Sequence, residues 1–187
     1  MELIECSARI VVVGTTGSGK TALARRLAAS LGVPHIELDA LYWEPDWRGA
    51  APEVFRERAA AATLGGEWVC DGNYHTVRDI VWGRATVLVW LDYPLGLILW
   101  QLVRRTLARI RTREELWNGN REGWHALLGP DSLIAWAFRT HWRRRREYPR
   151  QLEQYRQLRV VRLRSRGDAQ RFVESLCSAG GAFVLPR

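Results

Sequence analysis

The sequence predicts an α/β domain, a five-stranded parallel sheet with helices packed on both faces. Three observations carry that expectation. Short β-branched runs end in a glycine or an acid, amphipathic stretches with apolar residues every three or four positions follow them, and the two patterns alternate along the chain. A chain of 187 residues, 47% apolar and 26% charged, suits one such domain, expected over 1–178 with a tail over 179–187.

The first strand is Arg9-Ile10-Val11-Val12-Val13, apolar throughout like a strand buried on both faces. The first helix follows a short loop, with Leu23, Leu27 and Leu31 recurring every four residues on one face. The loop between them, Gly14-Thr15-Thr16-Gly17-Ser18-Gly19-Lys20-Thr21, fits the phosphate-loop pattern G-x-x-x-x-G-K-[ST]. Its glycines let the backbone turn so that successive amides point inward at a phosphate, and the helix start adds the positive end of its dipole. All eight residues are therefore expected to bind ATP. Lys20 would reach the β/γ-phosphates and the Thr21 hydroxyl would ligate Mg²⁺. Lys20 is the only lysine among 28 basic residues, kept where a compact ammonium must fit among amides.

Gly32-Val33-Pro34 marks a turn, and His35 to Asp39 reads as a second strand ending in an acid. Asp39 is then expected at a carboxyl strand end beside the γ-phosphate, able to orient or deprotonate an acceptor hydroxyl. The aromatic stretch Ala40–Trp47 reads as a loop, its rings either stacking on an acceptor or packing. Pro52 to Leu64 is helix-forming and Gly65-Gly66 ends it. Glu67–Asp71 is the third strand and Ala85–Leu91, before Asp92, the fourth. Asp71 and Asp92 both fit the acid that holds Mg²⁺ through water, and Asp71 with Thr21 is the expected metal pair.

A long helix starts at Tyr93-Pro94, with Leu95, Leu99, Leu102, Val103 and Leu107 as its apolar stripe. From Arg111 to Asp131 the chain turns polar and glycine-rich, and reads as a mobile lid excursion. A further helix runs from Ser132 to about Gln157, Leu158–Leu163 is the fifth strand, and Asp168 is the expected cap of the last helix.

Net charge is unevenly spread. Residues 1–100 hold 9 basic and 12 acidic groups, a net of −3, and residues 101–187 hold 19 and 8, a net of +11. A positive second half fits a phosphorylated partner or substrate. Arg104, Arg109, Arg139 and Arg143 flank the lid and are the expected groups that neutralise charge as the γ-phosphoryl leaves. Arg164, in the loop after the fifth strand, is a further candidate for the nucleotide.

These pieces resemble the nucleoside-monophosphate-kinase-like P-loop family. More narrowly, the chain is similar to the adenylate-kinase-related proteins called topology modulation proteins (FlaR-type). The match lies in Gly14–Thr21, Leu38-Asp39-Ala40-Leu41-Tyr42-Trp43 with Trp47, Asp71-Gly72-Asn73-Tyr74, and Leu91-Asp92-Tyr93-Pro94. It implies an adenylate-kinase-like fold and phosphoryl transfer from ATP·Mg²⁺. Adenylate kinases carry Asp-Gly-Phe-Pro-Arg where this chain has Asp71-Gly72-Asn73-Tyr74-His75, so their monophosphate-holding arginine is missing. Glu37-x-Asp39 resembles instead the paired acids of shikimate-type kinases, whose distal member meets the substrate hydroxyl.

The expected protein is a small ATP-dependent kinase acting on a nucleoside monophosphate or another small hydroxyl or phosphate acceptor. The alternatives are a P-loop protein that acts on nucleic acid through its basic half, and a nucleotide-binding regulator. Three widely spaced cysteines (Cys6, Cys70, Cys177) support neither a disulfide framework nor a zinc site, and the start of the chain has no signal-peptide pattern. A cytoplasmic protein without a membrane span is the expectation; its oligomeric state is left open.

Overall fold

The computed structural model describes residues 8–178, so the tail expected over 179–187 and Cys6 lie outside the described residues. Strand β1 (Arg9–Gly14) leads through the glycine loop into α1 (Lys20–Leu31). Strand β2 (His35–Glu37), the helical turn α2 (Leu38–Tyr42) and a two-stranded hairpin, β3 (Trp43–Glu44) with β4 (Arg48–Gly49), follow. Next come α3 (Pro52–Ala62), β5 (Trp68–Asp71), α4 (Arg78–Arg84), β6 (Val87–Leu91) and α5 (Leu95–Thr112). The chain closes with α6 (Leu133–Leu152), β7 (Arg159–Leu163) and α7 (Arg166–Ser178).

The five long strands form one parallel sheet in the order β2-β5-β1-β6-β7. This is the P-loop kinase fold. The continuous apolar run of β1 is explained by its central place. Ile10 and Val12 face Leu23 and Leu27 of α1 and Phe172 and Val173 of α7. Val11 and Val13 face the opposite layer, with Phe55, Val81, Trp82 and Tyr148. Strands β1 and β5 pair in the register Val12 to Asp71, which sets the phosphate loop beside the acid that ends β5.

Several boundaries differ from the sequence reading. Strand β2 stops at Glu37, and Asp39 lies in the first turn of α2 rather than at the end of a strand. Ser165 is the cap of α7, and Asp168 is its reciprocal partner three positions on. The Ser165 hydroxyl accepts from the Asp168 amide at 3.1 Å, while the Asp168 carboxylate accepts from the amides of Arg164 and Ser165 at 2.8 and 2.9 Å.

The segment after α5 is docked, in contrast to the mobile excursion that its composition suggests. Asn120 is buried, accepts from the Trp47 amide at 2.8 Å, and donates to the carbonyls of Glu44 and Trp117, each at 2.8 Å. Trp47 packs edge-on against Trp43 and Trp117, so these rings hold the lid to the β3–β4 hairpin. A polar, glycine-rich composition reads as loose because it lacks a core; here one buried amide supplies the missing backbone partners.

Asp92 is a structural acid. Buried at the end of β6, it takes Arg145 and Arg162 at 2.5 Å each, and Arg162 also stacks over Trp90. It ties α6 and β7 to the sheet. Asp92→Ala leaves two half-exposed guanidiniums facing each other without their anion. A loss of about 2–3 kcal/mol is expected, read as a lower urea midpoint at unchanged m.

Candidate active site

Three strand ends converge above the sheet. The glycine loop follows β1, the turn after β2 brings Asp39, and β5 ends in Asp71 followed by Gly72-Asn73-Tyr74. Two loop glycines are required by geometry. Gly17 has φ 81°, and a side chain there would meet the Leu102 Cβ at 2.8 Å; Gly19, with φ 90°, is the residue from which α1 starts. The loop is held from outside. Asn73 accepts from the Gly14 amide at 3.2 Å and from the Tyr148 hydroxyl at 3.0 Å, and its amide donates back to the Gly14 carbonyl. His141 of α6 lies 3.4 Å from the Thr15 hydroxyl. Gln101, with its amide turned to face the loop, donates to the Gly17 carbonyl at 2.7 Å and accepts from Arg166.

Lys20 folds over the loop and donates to the Thr15 carbonyl at 3.3 Å. Burial, and then the nearby Arg144 charge, push its ammonium down to about 8, against the opposing pull of Asp39 and Asp71. The Thr21 hydroxyl donates to the Asp71 carboxylate at 2.6 Å, and His35 Nε2 holds the other carboxylate oxygen at 3.0 Å. Asp71 is buried, so both of its oxygens are fixed.

Asp39 accepts from the Tyr74 hydroxyl at 2.5 Å. Burial raises its pKa, an effect offset by the Tyr74 hydrogen bond and the Lys20 charge. The same burial and the Asp39 carboxylate push the Tyr74 phenol well up, so Tyr74 stays a donor. Two arginines complete the electrostatic surroundings. Arg105 feels both Asp39 and Glu122 and is lowered by burial. Arg144 is 8% exposed, lowered by burial, and among the described residues donates only within its own helix, to Thr140 at 3.1 Å.

The donor set suits a hard cation that keeps most of its waters. One hydroxyl and one carboxylate lie together, and no cluster of three or more acidic, histidine or cysteine side chains occurs among the described residues. Magnesium brought by a nucleotide, with phosphate oxygens filling its shell, fits that chemistry; a caged structural metal does not.

The expected residues separate into two groups. Gly14 to Thr21, Asp39 and Asp71 come together at the strand ends. Ser18 is buried with its hydroxyl lacking a partner among the described residues, and Thr16 is half-buried. The arginines expected at the phosphate have other partners in this structure. Arg104 is exposed and stacks on Trp100, Arg109 is paired with Glu122 at 2.9 Å, Arg139 donates to the Pro130 carbonyl at 2.8 Å, and Arg143 is exposed beside Glu147. Arg164 is also exposed, with its amide spent on the α7 cap.

Sequence reasoning passed over Arg105, Arg144, His35 and Tyr74. For Arg144 a signal existed: Ala137, Thr140, His141, Arg144 and Tyr148 recur at helical spacing and form the buried face of α6. The run Arg143–Arg146 hid it, because phase rather than composition selects the inward member.

Fold and loop together define the class: this is a protein with the P-loop kinase fold and a phosphate-binding loop. Residues 10–66 match the family model of the ATPase family associated with various cellular activities (AAA). Among curated proteins the chain is similar to shikimate kinases. It is 29% identical to that of Rhizobium leguminosarum bv. trifolii over 119 residues (53% of this chain, 58% of the relative). It is 31% identical to that of Ruegeria pomeroyi over 121 residues (54% and 58%). The matched region thus spans under two thirds of those relatives. Among solved structures, the shikimate kinase of Acinetobacter baumannii in complex with shikimate superposes with a TM-score of 0.56 at 16% identity, over 91% of this chain and 90% of that one. The shikimate kinase of Bacteroides thetaiotaomicron gives 0.54 at 17% identity, over 92% and 97%. That likeness is one of fold. No helix among the described residues is long and apolar enough to cross a membrane.

The lowered Lys20 pKa gives a signed pH effect. The free protein loses the Lys20 proton as pH rises through about 8. A bound phosphate favours the ammonium and raises that pKa, so binding above pH 8 must take up a proton. Calorimetric titration of a non-hydrolysable ATP analogue at about pH 8.5, in buffers of different ionisation enthalpy, should show net uptake that vanishes at about pH 6.5 and in Lys20→Met.

Proposed function

We propose that this protein is a small ATP-dependent kinase that transfers the γ-phosphoryl of ATP·Mg²⁺ to the hydroxyl of a small anionic acceptor. The observation that carries the reading is Asp39, a half-buried carboxylate within the electrostatic reach of Lys20 and held in place by Tyr74. Among the described residues Asp39 makes no salt bridge, which leaves its carboxylate available to an acceptor hydroxyl beside a loop-held γ-phosphoryl. As the acceptor oxygen bonds to the γ-phosphorus, its proton passes to Asp39, the bond from that phosphorus to the β-bridging oxygen breaks, and ADP leaves. Mg²⁺, held through Thr21 and Asp71, would neutralise charge on the β- and γ-phosphates.

The protein's own groups do the rest. The loop amides and Lys20 fix the phosphates, and Asp71, braced by His35, orients the Thr21 hydroxyl. Arg105 and Arg144 keep the site positive. Among the described residues no carboxylate is hydrogen-bonded to the buried Arg144, which supports an acceptor carrying a carboxylate or phosphate of its own. The similarity to shikimate kinases supports a hydroxylated acid over AMP, as does His75 standing where adenylate kinases carry the monophosphate-holding arginine. The segment after α5, docked on the β3–β4 hairpin, is the element we assign to shielding the transferred phosphoryl from water.

An acceptor screen with labelled ATP and Mg²⁺ should find transfer to a small hydroxylated acid. Asp39→Asn should lower kcat on that acceptor by about 100-fold or more while ATP affinity changes less than about two-fold. Transfer to AMP alone would replace the acceptor class. Turnover of ATP to free phosphate, unchanged by every acceptor tried, would overturn the kinase reading.

A further inference from the structure

The outer face of α6 carries a feature that neither the fold nor the kinase site uses. Arg139, Arg143, Arg146 and Arg150 are all exposed and stand at i, i+4, i+7 and i+11. At 100° per residue they fall within about 60° of one another, and at 1.5 Å per residue they form a line about 16 Å long. Only Arg139, through the Pro130 carbonyl, and Arg143, at 3.8 Å from Glu147, have a hydrogen-bond or ion-pair partner among the described residues. Like charges spaced this way destabilise a helix, so the line is a cost to the fold rather than a support. Aromatic rings border it on both sides. Phe138 and Trp142, 49% and 53% exposed, lie along one flank, and Trp136, 45% exposed, along the other.

We infer that this face binds single-stranded nucleic acid. The arginines repeat at roughly one helical turn, about 5 Å, close enough to the phosphate repeat of an extended strand for one arginine per phosphate. Rings on either side of a basic line give bases a place to stack once the backbone lies along the arginines. A lipid surface would call for the reverse arrangement, a continuous apolar face with basic edges. The site is separate from the phosphate loop. Arg144, the buried member of the run, points to the opposite side of the helix, and Arg145 is taken by Asp92.

The test is fluorescence anisotropy of a labelled oligo-dT of about 20 nucleotides, titrated with the full chain at several salt concentrations. Four phosphate contacts on a single strand predict a slope of log K against log salt near −3. Arg146→Ala with Arg150→Ala should bring the slope to about −1.5. Trp142→Ala should weaken binding about ten-fold at unchanged slope. Lys20→Ala should bind the oligonucleotide like the parent, and thermal melting of each variant checks that it is folded. Loss of binding in Lys20→Ala would place the strand in the phosphate loop and overturn the inference. So would a slope indifferent to the arginine pair, or binding to phosphatidylserine vesicles with none to the oligonucleotide.

Discussion

The hydrogen bond between Thr21 and Asp71 joins the two halves of the site, and much of the structure serves to place it. Thr21 belongs to the first turn of α1 and Asp71 to the last residue of β5, fifty positions apart. They meet because β1 and β5 pair in parallel with Val12 opposite Asp71, and because the glycine loop returns the chain at once into a helix over that strand end. A one-residue slip in that pairing would turn Asp71 to the other face of the sheet and break its bond to Thr21. His35, arriving on β2 from the far side of β5, fixes the second oxygen of the carboxylate.

The same economy appears around the loop. Asn73 uses its side chain as a strand would use its backbone, exchanging hydrogen bonds with Gly14 and taking a third from Tyr148. Helix α6 is thereby coupled to the phosphate loop twice, through Tyr148 and through His141 at Thr15. The lid reaches the opposite side by Asn120 and by Glu122, which accepts from Arg109. Movement of α6 would therefore be felt at the phosphate loop.

Charge is sorted by depth. Lys20, Asp39, Arg105 and Arg144 lie close enough that each shifts with burial and with its charged neighbours. Asp92 is buried as Asp71 is, but matched by Arg145 and Arg162, and it serves cohesion. Two acids at the ends of buried strands, alike in sequence, have parted roles because one faces a hydroxyl and the other faces two guanidiniums.

The sequence by itself determined the sheet, the phosphate loop and the sides of the chain on which acids would gather. Those features rest on local physics: β-branched runs bury as strands, glycines permit left-handed turns, and apolar spacing marks helix faces. The place of Asp39 near Lys20 was legible although its strand ends two residues earlier, because a short turn barely changes where a strand end points. The arginines were not legible. Composition shows that the second half is basic, but which guanidinium turns inward depends on helix phase and on partners distant in sequence, as Arg144 against Arg143 shows. The docked lid was hidden for the same reason. Its order comes from Asn120 meeting Glu44 and Trp47 more than seventy residues away, contacts that exist only once the chain has folded.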